Sequence, residues 1–184
     1  LRFAALCGAA TLVGVVALLV LLWSVLLDGL PVLDWGFLSG FPSRSPERAG
    51  IRAALAGSAW ILFLTAAIAV PVAVSAAVYL EEYAPKGRLT RLVQANIANL
   101  AGVPSIVYGI VGLTVFVRWL GLGRSLLSGA LTLAILILPI LVIAAQEAIR
   151  AVPASLREAA FGLGAPRWQV VSHQVLPHAP PWIL

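Results

Sequence analysis

Four long stretches without a charged side chain constrain this chain more than any other feature. Asp, Glu, Lys and Arg are all absent from residues 3–27, 53–80, 92–117 and 125–146. A helix needs roughly 20 apolar residues to cross the hydrocarbon of a bilayer. Inside hydrocarbon, every backbone N–H and C=O must also be satisfied within the protein. The sequence therefore predicts an all-α, polytopic membrane helical bundle with four transmembrane helices.

Composition agrees with this fold class. The chain is 61% hydrophobic and only 10% charged, whereas about 25% of residues are charged in soluble domains. We expect membrane lipid around the chain and no nucleic acid. Residue 1 is leucine, and residues 178–184 are interpreted as the start of a further apolar segment, so we expect a single transmembrane domain that is a fragment at both ends.

The connections between the spans follow from the charged and Pro-rich segments. We predict loops at 28–52 and 81–91 and a connecting segment at 150–177. With a cytoplasmic N-terminus, the first loop would be periplasmic, and the second loop and the segment would be cytoplasmic. A signal peptide is the alternative for the first apolar run, but that run is longer than the 7–15 apolar residues typical of a signal. We therefore interpret residues 3–27 as a membrane anchor.

The third span has a polar entry. Asn96 and Asn99 lie three residues apart and share one helix face, and Gly102 and Pro104 then allow the chain to turn before Ser105. Polar side chains at membrane depth usually face protein or water. Two interpretations stay open: hydrogen bonds between helices, or a position for Asn96, Asn99 and Ser105 beside a translocation path.

The loop charges suggest an orientation. With a cytoplasmic N-terminus, seven Lys and Arg residues fall inside and five outside, which agrees with the positive-inside rule only weakly. Arg118 and Arg124 bracket a very short turn, so the third and fourth spans should be neighbours. These arginines either extend to the headgroups or lend positive potential to an anion path. The charge run from Glu81 to Arg88 is expected to be solvated, with a specific contact as the alternative.

The segment after the fourth span contains strong local signals. Pro153 should stop the preceding helix, and Ser155 and Glu158 match the capping-box pattern, in which each side chain bonds the other's backbone N–H. Gly164 suits the positive φ that follows a helix end, and Pro166 suits a first helical turn. We predict two short helices that meet at Gly164.

The second of these short helices should be amphipathic. Trp168, Val171 and Val175 fall on one face, which favours a position at the membrane interface. Leu176 and Pro177 are expected to end the helix.

This segment resembles the EAA loop of bacterial ABC importer permeases. Glu158-Ala159-Ala160, Gly164 three residues later and Leu176-Pro177 match its pattern, while Gln174 stands where the pattern prefers isoleucine. The resemblance implies a type I importer permease fold with about six helices in the intact subunit. It also implies that residues 150–177 dock on a cytoplasmic ATPase through these positions: Ser155, Glu158, Ala159, Ala160, Gly164, Leu176 and Pro177.

A second resemblance concerns the substrate. Residues 79–85 and 96–109, together with 155–160, are similar to the PstA-type permease of the phosphate importer. This implies a bacterial inner-membrane, multi-pass subunit with a cytoplasmic N-terminus that transports phosphate. Its implied partners are a PstC-type permease, two copies of an ATP-binding subunit and a phosphate-binding protein outside the membrane.

Other functions have less support from the residues. The sequence contains no G-x-x-x-x-G-K-[ST] phosphate loop, and His173 and His178 have no nearby carboxylate or cysteine, so we expect no enzymatic activity, metal or cofactor in this chain. Permeases for sulfate, molybdate, phosphonate or amino acids share the EAA loop and stay as alternatives. A membrane-embedded enzyme and a structural anchor are the less favoured classes.

Overall fold

The computed structural model describes residues 2–45 and 49–179. These residues form helices, turns and irregular connections, with no strand among them. The all-α prediction is therefore confirmed. The chain divides into two units, Leu1–Ser58 and Ala59–Leu184. Part of the predicted loop at 28–52 and the end of the predicted segment at 178–184 lie outside the described residues.

The first unit is dominated by helix α1 (Arg2–Gly29), which is followed by a 3₁₀ turn (Leu30–Val32). Side chains from Leu6 to Asp28 are exposed along all of its faces. Such an apolar, unburied helix suits a lipid environment. The predicted loop at 28–52 also contains a short helix, α2 (Trp35–Ser39), because the Asp34 carboxylate accepts a hydrogen bond of 2.6 Å from the Phe37 N–H.

Two long helices run through the second unit. Helix α3 (Arg52–Val78) continues as a π-helical turn (Tyr79–Tyr83), and its buried residues Thr65, Ala69, Ala73 and Ala77 recur every four positions. Helix α6 (Leu126–Ala151) meets α3 where the Thr65 hydroxyl donates to the Ala130 carbonyl at 3.4 Å. Small side chains on one face allow such helices to approach closely in a membrane.

The third predicted span is not one continuous helix. Helix α4 (Arg88–Ala101) and helix α5 (Ser105–Gly112) are bent by 96° at the break between them, and α5 continues as a π-helical turn (Leu113–Trp119). Pro104 causes the break, since it lacks an N–H and has extended backbone angles of φ −57° and ψ 137°. Within the described residues, three helices are long and apolar enough to cross a membrane, or four if the bent pair counts as one span. The predicted loop and span boundaries stay predictions.

Helices α5 and α6 are neighbours, as the short turn between them predicted. Gly121 and Gly123 in this turn have φ of +67° and +63°, which favour glycine. Gly112 of α5 lies directly against Thr132 of α6, so that a Cβ at residue 112 would overlap the threonine side chain. This close approach fixes where α5 packs.

Candidate functional site

The segment after α6 folds as two short helical elements. Helix α6 ends at Ala151, and Val152 is extended, with φ −68° and ψ 126°, because the residue before a proline disfavours helical angles. Helix α7 (Ala154–Gly162) follows Pro153. The second element comprises α8 (Arg167–Val170), a π-helical turn (Val171–Val175) and α9 (Leu176–His178). The predicted pair of short helices is present.

The turn between the two elements is a Schellman motif. Gly164 has φ +80° and donates its N–H to the Phe161 carbonyl at 2.9 Å. The Ala165 N–H reaches back to the Ala160 carbonyl at 3.1 Å, so two carbonyls at the end of α7 are satisfied. The prediction of positive φ at Gly164 is confirmed. Pro166 is the residue before α8 and not its first helical residue.

The predicted capping box is wrong. Helix α7 begins two residues earlier than the pattern requires: Pro153 is its N-cap, with no side-chain cap hydrogen bond, and the Pro153 carbonyl accepts the Leu156 N–H at 3.2 Å. Ser155 therefore lies inside the first turn. Glu158 is exposed near the middle of α7. The extended ψ of 135° at Pro153 turns the chain before Ser155 can do so.

The predicted amphipathic stripe is only partly realised. Val171 is 6% and Val175 0% exposed, but Trp168 is 59% exposed. Val170 is buried in place of Trp168, since the π-helical turn from Val171 to Val175 changes which residues share the buried face. The predicted end at Leu176-Pro177 is also displaced, because the helix continues to His178. Val170 and Val175 join Ala77, Ala145 and Ile149 in one apolar cluster, so this element packs on α3 and α6.

An open groove of about 390 Å³ lies between the two elements. Ala159 and Ala160 of α7 line one side of the groove, and Gln169 and His173 line the other. Since alanine side chains are small, they leave this space unfilled. The groove ends at the tip of the loop, where Leu163 is 90% exposed and Phe161 is 46% exposed. Sequence reasoning assigned no role to these two side chains, although their apolar character next to a glycine turn could have suggested one.

Glu81 and Glu82 are not solvated, contrary to the prediction. Glu81 Oε1 accepts hydrogen bonds from Gln146 Nε2 at 2.8 Å and from Arg150 Nη2 at 2.7 Å. The exposed fractions of the Glu81 and Glu82 side chains are only 16% and 15%. The two carboxylates occupy the π-helical turn at the end of α3, and that turn directs them toward α6 and α7.

Arg157 joins three elements at one guanidinium group. Its Nε donates to Glu82 Oε1 at 3.0 Å, and Nη1 and Nη2 donate to the carbonyls of Val152 and Ile149, each at 2.8 Å. These carbonyls lie at the C-terminal end of α6, where a positive charge is favourable, and the Ile149 carbonyl also accepts the Val152 N–H at 3.3 Å. Sequence reasoning missed this residue, although it sits between Ser155 and Glu158 in the recognised motif.

The predicted path residues lie around the bend between α4 and α5. Asn96, Asn99 and Ser105 are all exposed. Asn96 Nδ2 donates to the Leu92 carbonyl of its own helix at 2.8 Å, so the described structure does not give it the predicted bond to another helix. Tyr108 holds the bend by donating its hydroxyl to the Leu100 carbonyl at 2.8 Å. The residues predicted to dock on an ATPase, here called the predicted coupling loop, and the predicted path residues form separate groups.

The described residues contain no group of three or more His, Cys, Asp and Glu side chains that could hold a metal ion. His173 and His178 each contact a carbonyl one helical turn earlier, of Gln169 and Gln174 respectively. The polar chemistry of the site is therefore that of ion pairs and helix ends.

The described residues form a helical domain with several apolar helices long enough to cross a membrane, and comparison with known proteins identifies its family. Residues 69–184 match the profile of the family described as binding-protein-dependent transport system inner membrane component. The chain belongs to this family of ABC transporter permeases. The resemblance stated from the sequence is confirmed.

Individual relatives give a more specific comparison than the family match. It is 37% identical over 171 residues to the probable ABC transporter permease protein YqgI of Bacillus subtilis, covering 92% of this chain and 58% of that protein. It is 36% identical over 181 residues to the phosphate transport system permease protein PstA 1 of Mycobacterium tuberculosis, covering 94% of this chain and 58% of that protein. PstC of Pasteurella multocida is 36% identical over 141 residues, which are 63% of this chain and 44% of that protein.

The chain thus spans about half the length of the curated relatives that it matches. No solved structure matches it.

Proposed function

We propose that this chain is part of a permease subunit of an ATP-driven phosphate import complex. The observation that carries the proposal is the segment after α6, where a glycine-defined turn presents an exposed tip while Arg157 and a buried valine cluster tie its base to α3 and α6. A soluble partner that binds and displaces such a segment would also displace the membrane helices to which its base is attached. The residues proposed to dock on that partner are those of the predicted coupling loop: Ser155, Glu158, Ala159, Ala160, Gly164, Leu176 and Pro177.

The proposed orientation places this segment and the N-terminus in the cytoplasm of a bacterial cell. The seven-to-five excess of Lys and Arg on that side supports it. The side chains of Phe161 and Leu163 then face the ATPase, and their apolar surface suits a groove in that partner. ATP hydrolysis belongs to the two ATP-binding subunits, and the permease itself is not a catalyst.

Phosphate is the proposed substrate because several relatives at 33–38% identity are phosphate transport permeases of the PstA type. The match to PstC supports pairing with a second, PstC-type permease, and a phosphate-binding protein would deliver the anion from outside. Asn96, Asn99 and Ser105 are proposed to border the path, and their exposure leaves them open to an anion or to the second permease.

A permease for another solute is the second candidate. YqgI and YqgH, at 37% and 34% identity, are described only as probable ABC transporter permeases. Sulfate, molybdate, phosphonate and amino acids are the solutes to compare.

The test is uptake of radiolabelled phosphate by the full-length subunit with its permease partner, ATPase and binding protein, in cells that lack their own high-affinity system. We expect saturable uptake that sulfate and molybdate do not compete and that an ATPase-inactive partner abolishes. Uptake of another oxyanion would replace the substrate but keep the permease. Failure to transport any solute would contradict the proposed function.

A further inference from the structure

The exposed tip of α7 can transmit motion only if its base is held to the spans, and the structure shows a specific contact there. Helix α7 itself offers little apolar surface to the body of the unit. Only Leu156 and Ala160 pack against the buried cluster of α3, α6 and the second short element, and both are only partly buried. Apolar packing alone therefore leaves the direction of α7 loosely defined.

The Glu82 and Arg157 side chains supply the missing constraint. Their charged atoms approach to 2.9 Å, and only 15% and 20% of the side chains are exposed. Partial burial strengthens an ion pair relative to one in water, and the planar guanidinium holds its acceptors in a fixed geometry. Because Arg157 also bonds the last carbonyls of α6, a displacement of α7 must move Glu82 or break these bonds.

A second ion pair, at Glu81, allows the effect of the Glu82–Arg157 pair to be tested separately from the link between α3 and α6. Glu81 accepts hydrogen bonds from Gln146 and Arg150, both in α6, and so ties the end of α3 to α6. Glu82 ties the same turn of α3 to α7. Loss of the Glu82 charge should therefore loosen α7 and leave the link between α3 and α6 in place.

We propose that Glu82 and Arg157 are positioning residues that make α3 move together with the coupling helix α7. This inference rests on the proposed function. It assigns a mechanical role in the transport cycle to the cytoplasmic turn after α3, in addition to the loop that carries the EAA pattern. The pair is proposed to carry force from the ATPase to the spans, and not to touch either the ATPase or the transported anion.

The experiment compares variants of the full complex in proteoliposomes, with the phosphate transported per ATP hydrolysed as the readout. For Glu82→Gln we expect this ratio to fall at least about fivefold, the lower end of typical couplings between linked sites, while the ATPase still copurifies in normal amount. Glu147→Gln is the matched control, because its ion pair with Arg150 joins neighbouring turns of one helix and Glu147 is 65% exposed. We expect the control to keep the wild-type ratio.

Two further variants separate the possible results. If Glu82→Gln does not assemble, Glu82→Asp keeps the charge and shortens its reach, and a reduced ratio in that variant supports the positioning role. A wild-type ratio in assembled Glu82→Gln complexes, or in Glu82→Asp complexes where Glu82→Gln does not assemble, overturns the inference. Gly164→Val tests the proposed function separately: if it uncouples transport while the Glu82 variants do not, the coupling loop stands and the positioning pair is wrong.

Discussion

The segment after α6 and the bend between α4 and α5 both place polar groups beside apolar helices, but they satisfy those groups differently. Around α7, Arg157, Arg150 and Gln146 bond partners on other elements. At the bend, Asn96 bonds its own helix and Ser105 is exposed. The first region is completed by contacts within the chain. The second presents polar surface that suits contact with other subunits or a solute.

This difference predicts where substitutions will change the chain itself. Arg157→Ala should have the largest effect, because it leaves the mostly buried Glu82 carboxylate and the Val152 carbonyl without their donor and removes one of two donors from the Ile149 carbonyl. Removing one partner of a fully buried pair costs about 3–5 kcal/mol, and the residual exposure of this pair lowers our expectation to about 2–3 kcal/mol. Hydrogen exchange of the α7 amides in the purified complex measures the local opening free energy. Unchanged exchange would show that α7 does not depend on this contact.

Gly112→Ala should have the next largest effect, of about 1–3 kcal/mol, by overpacking the contact between α5 and α6. The added Cβ would overlap Thr132, and Thr132 cannot rotate freely because its hydroxyl donates to the Ser128 carbonyl at 2.7 Å. The thermal stability of the detergent-solubilised subunit is the measurement. Gly109→Ala in the same helix is the control, since a Cβ there meets nothing within 4 Å.

A double variant sharpens this prediction. Thr132→Ala should restore part of the stability lost in Gly112→Ala, because the two residues are in direct contact and their effects are then not additive. Strict additivity of the two substitutions would mean that α5 does not pack on α6 through this pair.

Gly164→Val tests the turn that joins the two short elements. A β-branched side chain at φ +80° is strained by about 1–2 kcal/mol, so the Schellman hydrogen bonds should open and the tip should lose its direction. We expect uptake to fall about tenfold, the factor that corresponds to 1.4 kcal/mol, with normal membrane insertion. Gly162→Ala is the control, since Gly162 lies in α7 and a Cβ there meets nothing within 4 Å. Normal coupling in Gly164→Val would contradict the assignment of the loop.

The sequence predicted those structural features that are determined by residues close together in the chain. Pro153 and Gly164 fix the helix boundaries after α6 through their own backbone preferences, and the uncharged stretches predicted the long helices. The capping box failed because two local signals competed, and Pro153 determined the start of α7 before Ser155 could. Local patterns therefore gave the elements, with errors of one or two residues at their ends.

The ion pairs could not be predicted in this way. Glu81 lies 65 residues from Gln146, and Glu82 lies 75 residues from Arg157. A charge run after a span is usually solvated, and only the packing of α3 on α6 brings these residues together. The bend between α4 and α5 was predicted only in part. Gly102 and Pro104 predict a turn, but its angle of 96° depends on contacts made beyond the break.

The smallest predicted effect concerns the hydrogen bond of Tyr108 at the bend between α4 and α5, the region whose polar side chains are exposed. Tyr108→Phe removes the hydroxyl that donates to the Leu100 carbonyl across the bend. Because the bond is exposed, we expect a loss of about 0.5–1.5 kcal/mol at most, seen as a wider distribution of distances between spin labels placed on α4 and α5. If the bend keeps its angle and its distance distribution in Tyr108→Phe, Pro104 alone sets the bend. The exposed polar face of α4 would then be oriented by the backbone break and not by this side chain.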